Sequence, residues 1–139
     1  MTAPAWGHFW LPGPVELHPD VVAALTRPVF GHRTPAAAMM LAGIQSELRS
    51  LFATDRPVMM LSGSGSAMME AAIRSGVRER VLCIVNGVFG ERFAKIAEGC
   101  GKEVIRLHVA PGEAVTAELL SAMDDSPPVD AVSMVHVET

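Results

Sequence analysis

The apolar residues of this 139-residue chain follow two rhythms. Met40, Ile44, Leu48, Leu51 and Phe52 recur at helical spacing, so a helix is expected from Thr34-Pro35 to about Ala53. Thr34 supplies a capping hydroxyl, and proline suits the first turn. Val58–Leu61 is a short apolar run and predicts a strand. Ala67–Ser75 reads as a helix with Gly76 placed to end it. Arg80–Val85, RVLCIV, is almost continuously apolar, as a strand buried on both faces requires. Asn86-Gly87 signals a turn, and Phe89, Phe93, Ile96, Ala97 and Cys100 then mark one side of a helix. Glu103–Val109 predicts a strand, Pro111-Gly112 breaks it, and Thr116 caps a helix through Leu119, Leu120 and Met123. Asp130–Val137 reads as a last strand after the Ser126-Pro127-Pro128 loop.

Strand and helix therefore alternate after residue 57. Such alternation predicts an α/β fold with a mostly parallel sheet and helices on both faces. Residues 1–20 read as an N-terminal arm, because Pro12, Pro14 and Pro19 forbid a continuous helix. Asp20 is placed to cap a short helix over Val21, Val22, Ala24 and Leu25. Residues 21–139 read as one piece of one domain, with no repeat and no linker.

Composition narrows the class. Half of the residues are hydrophobic and 19% are charged, which suits a globular chain. A net charge of −4 gives no basis for binding nucleic acid or anionic lipid. No apolar stretch is long enough for a membrane span, and the N-terminus lacks the pattern of a secretory signal. Cys83 and Cys100 are the two cysteines, without metal-ligand spacing, and are expected to be reduced thiols in the cytoplasm. Many of the nine methionines fall on apolar faces and read as core filler.

Four segments can carry chemistry. Ser62-Gly63-Ser64-Gly65-Ser66 joins an apolar run to a helix. Glycine lets the backbone approach an anion, and the hydroxyls and free N–H groups of the helix start donate to it. A plain strand-to-helix turn would look the same. The segment lacks the Lys-Ser/Thr ending of a nucleoside triphosphate loop, and methionine stands where a dinucleotide fold needs a third glycine. A phosphate monoester is the remaining natural ligand. Phe89, after a strand end, can stack on a planar cofactor or simply begin the apolar stripe with Phe93. His136-Val137-Glu138-Thr139 brings a Thr hydroxyl to another strand end, but a lone His-x-Glu makes no metal site. Arg33, in Gly31-His32-Arg33, can pair with a substrate carboxylate, hold a neighbouring chain or lie in solvent. His8, His18 and His108 receive no role.

Taken in order, these segments resemble the class V aminotransferases. Leu11-Pro12-Gly13-Pro14 with Pro19-Asp20-Val21 is similar to that family's N-terminal arm. Gly31-His32-Arg33-Thr34-Pro35 resembles its Gly-His-Arg-Ser-Pro, and Ser62 to Ala71 its Ser-Gly-Thr/Ser-Gly-Thr-x-x-x-Glu-Ala. Asn86-Gly87-Val88-Phe89-Gly90-Glu91-Arg92 resembles its Asn-Gly-x-Phe/Trp-Gly-x-Arg, and His136-x-Glu138-Thr139 the start of its His-x-Glu-Thr/Ser-Ser-Thr-Gly. The branch most resembled is that of the alanine–glyoxylate and serine–pyruvate aminotransferases. The resemblance implies part of the large domain of fold type I pyridoxal-phosphate enzymes, with residues 21–139 as its truncated N-terminal portion. It implies pyridoxal 5'-phosphate held by Ser64, Gly65 and Ser66, stacked on Phe89, and hydrogen-bonded at its phenolic oxygen by Thr139. It places Gly13 near the substrate, and implies small amino acids and 2-oxo acids as substrates of a homodimeric enzyme.

One departure is large. The family's Schiff-base lysine, its pyridine-binding aspartate and its carboxylate-gripping arginine follow the His-x-Glu-Thr motif, and this sequence stops there. Lys95 and Lys102 have no flanking pattern of a nucleophile in a desolvated pocket. No catalytic residue is therefore assigned, and the chain alone is expected not to transaminate. A non-catalytic phosphate-binding or subunit-interaction module is the rival reading. Within the resemblance, cysteine desulfurases, phosphoserine aminotransferases and aminoethylphosphonate aminotransferases are also open.

Overall fold

The computed structural model describes residues 13–123 and 126–138. Thr139 and the first twelve residues, with His8 and most of the arm, lie outside the described residues. The elements run α1 (Pro19–Leu25), α2 (Pro35–Leu51), α3 (Gly65–Gly76), β1 (Arg80–Val85), α4 (Val88–Gly99), β2 (Glu103–His108), α5 (Ala117–Ser121) and β3 (Ala131–Ser133). Two compact units divide them: residues 16–62 form one, and residues 13–15 with 63–138 form the other.

The larger unit is the α/β part. Its sheet has the order β2-β1-β3, with both pairings parallel. The apolar run of β1 is buried along its length, from Val81 to Val85. Both faces are therefore covered, as its lack of alternation requires. On one face Val81, Cys83 and Val85 join Ala94 and Ala97 of α4 in the core cluster, with Ile73 and Val77. Gly90, Ala94 and Ala97 form a seam of small residues along α4, all buried. A Cβ on Gly90 would stand 2.8 Å from the Ile84 carbonyl oxygen and 3.1 Å from the Val85 Cα, so glycine is what lets the helix start lie against the strand end.

Two polar devices fix this unit. The Asp130 carboxylate accepts the backbone N–H groups of Arg78, Glu79 and Arg80 at 3.0, 2.6 and 3.0 Å. It ties the entry of β3 to the entry of β1, and those amide bonds, the Glu79 one foremost, hold its pKa below the usual value. Arg106 of β2 reaches Glu98 at 2.8 Å and Glu91 at 3.4 Å on α4. The Glu98 hydrogen bond above all raises the guanidinium's pKa.

The other unit carries α1 and α2. Thr34 caps α2 as expected, accepting from the Ala37 N–H at 3.3 Å, with Pro35 at the first position. For α1 the expected cap is corrected. The helix begins two residues earlier, at Pro19, and the His18 ring accepts from the Asp20 N–H at 3.3 Å. A second correction concerns Val58–Leu61, which forms no strand. Among the described residues no strand pairs with this run. Instead the Gln45 side-chain amide takes both backbone groups of Val58, donating to its carbonyl and accepting its N–H. Met59, Met60 and Leu61 are exposed. The last strand also shrinks: β3 keeps three residues, since only Ala131–Ser133 find partners on β1. No described helix is long and apolar enough to cross a membrane.

Candidate functional site

The carboxyl edge of a parallel sheet is where open α/β folds gather ligands. Here β1 ends at Val85, and Asn86-Gly87 turns the chain directly into α4. The turn is pinned by the segment that follows β3. Asn86 donates its side-chain N–H to the Val135 carbonyl at 3.1 Å. Glu138 places its carboxylate on the first turn of α4, accepting from Phe89 N–H at 3.1 Å and Gly90 N–H at 2.9 Å. An acidic group at a helix start satisfies orphan donors and meets the positive end of the dipole. Gly87 is required by this approach, because a Cβ there would run into the Glu138 side chain. The glutamate given no role from sequence is thus the clamp on the backbone of Phe89. Nothing local in the sequence announces it, since 49 residues separate the two.

Ser64, Gly65 and Ser66 sit where α3 begins, two residues earlier than periodicity suggested. Ser64 occupies the cap position in an extended conformation, yet its hydroxyl makes no capping hydrogen bond. The Ala67 N–H bonds the Ser64 carbonyl at 3.0 Å, while the N–H groups of Gly65 and Ser66 have no acceptor within the helix. A Cβ on Gly65 would meet nothing within 4 Å, so the approach to the amides is open. This is a donor-rich helix start whose hydroxyl is unspent. Its chemistry suits an anion with several acceptor oxygens.

Helix α3 packs on α4, and Arg92 joins their two candidate contacts. Its Nη1 donates to the Ser66 Oγ at 3.4 Å, a long bond, while its guanidinium carbon lies 4.9 Å from the centre of the Phe89 ring. Ser66 and Phe89 therefore meet through one side chain. Two open cavities, of about 620 and 650 Å³, flank the start of α4. The first is lined by residues from all three strand ends, among them Asn86, Gly112 and His136, and the second by Arg92 and Lys95 among others. Ser64, Ser66 and Phe89 line neither.

Of the remaining expectations, Gly13 is exposed, with open space where a Cβ would stand. His32 and Arg33 are exposed in the other unit. Lys95 points to solvent at 70% exposure, 3.7 Å from Glu91. Lys102 donates to the Arg78 carbonyl at 3.0 Å, beside the entry of β1, away from the edge that holds Phe89. Neither lysine faces the candidate contacts. The described residues contain no cluster that could hold a metal ion. Cys83 is fully buried, and burial raises its thiol pKa.

Similarity to known proteins agrees with the motifs. No family model matches the chain. An uncharacterized aminotransferase of Methanocaldococcus jannaschii is 38% identical over 93% of this chain and 34% of its own length. The small subunit of a soluble hydrogenase from a Synechococcus strain is 28% identical over 93% of this chain and 35% of its own. Among solved structures, an alanine–glyoxylate aminotransferase from a Nostoc species superposes with a TM-score of 0.72 at 36% identity, covering 82% of this chain and 31% of that one. The chain spans about a third of the length of these relatives. In sequence and in fold, what the chain is similar to is the α/β part of aminotransferases, over about a third of their length.

Proposed function

We propose that this chain is the N-terminal, cofactor-cradling portion of a pyridoxal-phosphate-dependent class V aminotransferase that moves an amino group from alanine or serine to glyoxylate or pyruvate. The observation that carries the reading is the meeting of Ser66 and Phe89 on Arg92, beside an uncapped helix start at the carboxyl edge of β1. A phosphate ester fits the first element, since amides and hydroxyls donate to its oxygens and the helix dipole favours its charge. A flat ring fits the second. The relative named for alanine–glyoxylate transfer supports the substrate pair.

In this reading Ser64, Gly65 and Ser66 hold the phosphate, Phe89 covers one face of the ring, and Thr139 binds its phenolic oxygen. Gly13 belongs to the arm near the substrate. Pyridoxal phosphate supplies an electron sink at the amino acid's α-carbon. The chain's own part is orientation: Glu138 fixes the backbone of Phe89, and Arg92 fixes the direction of its ring. Residues 21–139 serve as one piece of the cofactor domain, in a cytoplasmic homodimer once complete. Lys95 and Lys102 do not provide the covalent anchor, so the chain alone does not transaminate.

Titrating the purified chain with pyridoxal phosphate, followed by calorimetry and absorbance, tests this. Saturable binding that inorganic phosphate competes away, weakened in Ser64→Ala and Ser66→Ala, is expected. Absence of saturable binding, or binding indifferent to both serines, would overturn it. The soluble-hydrogenase relative favours a second reading, a non-catalytic subunit module, which predicts that cofactor leaves the absorbance unchanged.

A further inference from the structure

Most of the arginines in the α/β unit are spoken for. Arg74 pairs with Glu70, Arg80 with Glu103, and Arg106 with Glu91 and Glu98. Arg92 has no carboxylate partner among the described residues. Its two contacts are a hydroxyl and an aromatic ring. Lying over the ring gains an exposed arginine a modest attraction, set against the large entropy of its side chain.

We infer that Arg92 is a positioning residue: it sets the separation between the hydroxyl that takes a phosphate and the ring that takes a flat heterocycle, and so selects a phosphorylated planar ligand over either half alone. The inference rests on the function proposed above. Three details support it. First, a serine hydroxyl has one proton to donate and two lone pairs. Arg92 donates to the Ser66 oxygen, which leaves the proton to point at an anion. Second, the Phe89 backbone is already held by Glu138, so its ring direction is the freedom that remains. Phe89 and Arg92 lie three apart on α4, the spacing at which helical side chains meet. Third, the uncompensated guanidinium charge lies next to Ser66, where it adds long-range attraction for a phosphate dianion.

The test compares Arg92→Met, which keeps the apolar stem, with Arg92→Lys, which keeps the charge and loses the planar fork. Affinity is measured for pyridoxal phosphate, for unphosphorylated pyridoxal and for inorganic phosphate, with a thermal midpoint for each variant. Arg92→Met is expected to weaken pyridoxal phosphate by about fivefold, the scale of one exposed cation–π contact. Arg92→Lys should preserve inorganic phosphate binding yet lose affinity for pyridoxal phosphate. In a Ser66→Ala or Phe89→Leu background the Arg92→Met loss should shrink, since the partner is already gone. Pyridoxal phosphate binding unchanged in both variants, or a loss of equal size in every background, overturns the positioning role and leaves the proposed function standing. Wild-type chain that binds inorganic phosphate but shows no preference for its pyridoxal ester overturns both. A variant that misfolds reveals itself by its midpoint, and Arg92→Lys then decides.

Discussion

Gly90→Ala probes whether the seam between α4 and β1 is as tight as the geometry says. The added Cβ would stand 2.8 Å from the Ile84 carbonyl oxygen and 3.1 Å from the Val85 Cα. Both are backbone atoms of a buried strand, so neither can rotate away. Ordinary contact begins near 3.4 Å, so α4 must retreat by about half an ångström. That retreat loosens Ala94 and Ala97, both fully buried against β1. Overpacking of this kind costs about 1–3 kcal/mol, while replacing glycine by alanine in a helix returns about 1 kcal/mol. A net loss of up to about 2 kcal/mol is expected. Gly43, in the middle of α2, is the control. Its Cβ would meet nothing within 4 Å, so Gly43→Ala should gain about 0.5–1 kcal/mol. Urea unfolding followed by far-ultraviolet circular dichroism reads both. If the two variants shift stability in the same direction, the close approach at Gly90 is not what glycine is there for.

The capping residues separate stability from binding. Thr34→Ala should lower stability by about 1 kcal/mol, because its hydroxyl serves the α2 start. Ser64→Ala should leave thermal unfolding almost unmoved, because that hydroxyl caps nothing, while weakening pyridoxal phosphate. Equal destabilisation by both would refute the distinction. Asp130 gives a pH signature. Its folded pKa is depressed, so its stabilising share is present above the unfolded value of about 3.9 and is lost as pH falls through the folded one. Asp130→Asn should therefore be less stable than wild type at neutral pH, and the gap should close in strong acid. A gap independent of pH would sink the three-amide account.

What the sequence revealed was local. RVLCIV forced a strand buried on both faces, and Thr34-Pro35 forced a helix start, because both signals sit within a few residues. Val58–Leu61 misled for the converse reason. An apolar run becomes a strand only with a partner to take its backbone groups, and a glutamine side chain took those of Val58. Phe89 and Ser66 were legible as a ring and a hydroxyl. Their meeting through Arg92 was not, since it depends on how α3 lies on α4. The carboxylates of Asp130 and Glu138 were equally hidden, each acting on amides about fifty positions away.

The Glu138 clamp has a bearing on biosynthesis. A ribosome delivers residue 89 long before residue 138, so the nascent helix emerges with its leading amides bare. Hydrophobic docking onto the first strand can proceed meanwhile, but the leading turn of the helix keeps its freedom until the glutamate leaves the exit tunnel. Pinning of the turn after the first strand thereby follows the setting of the interior beneath it.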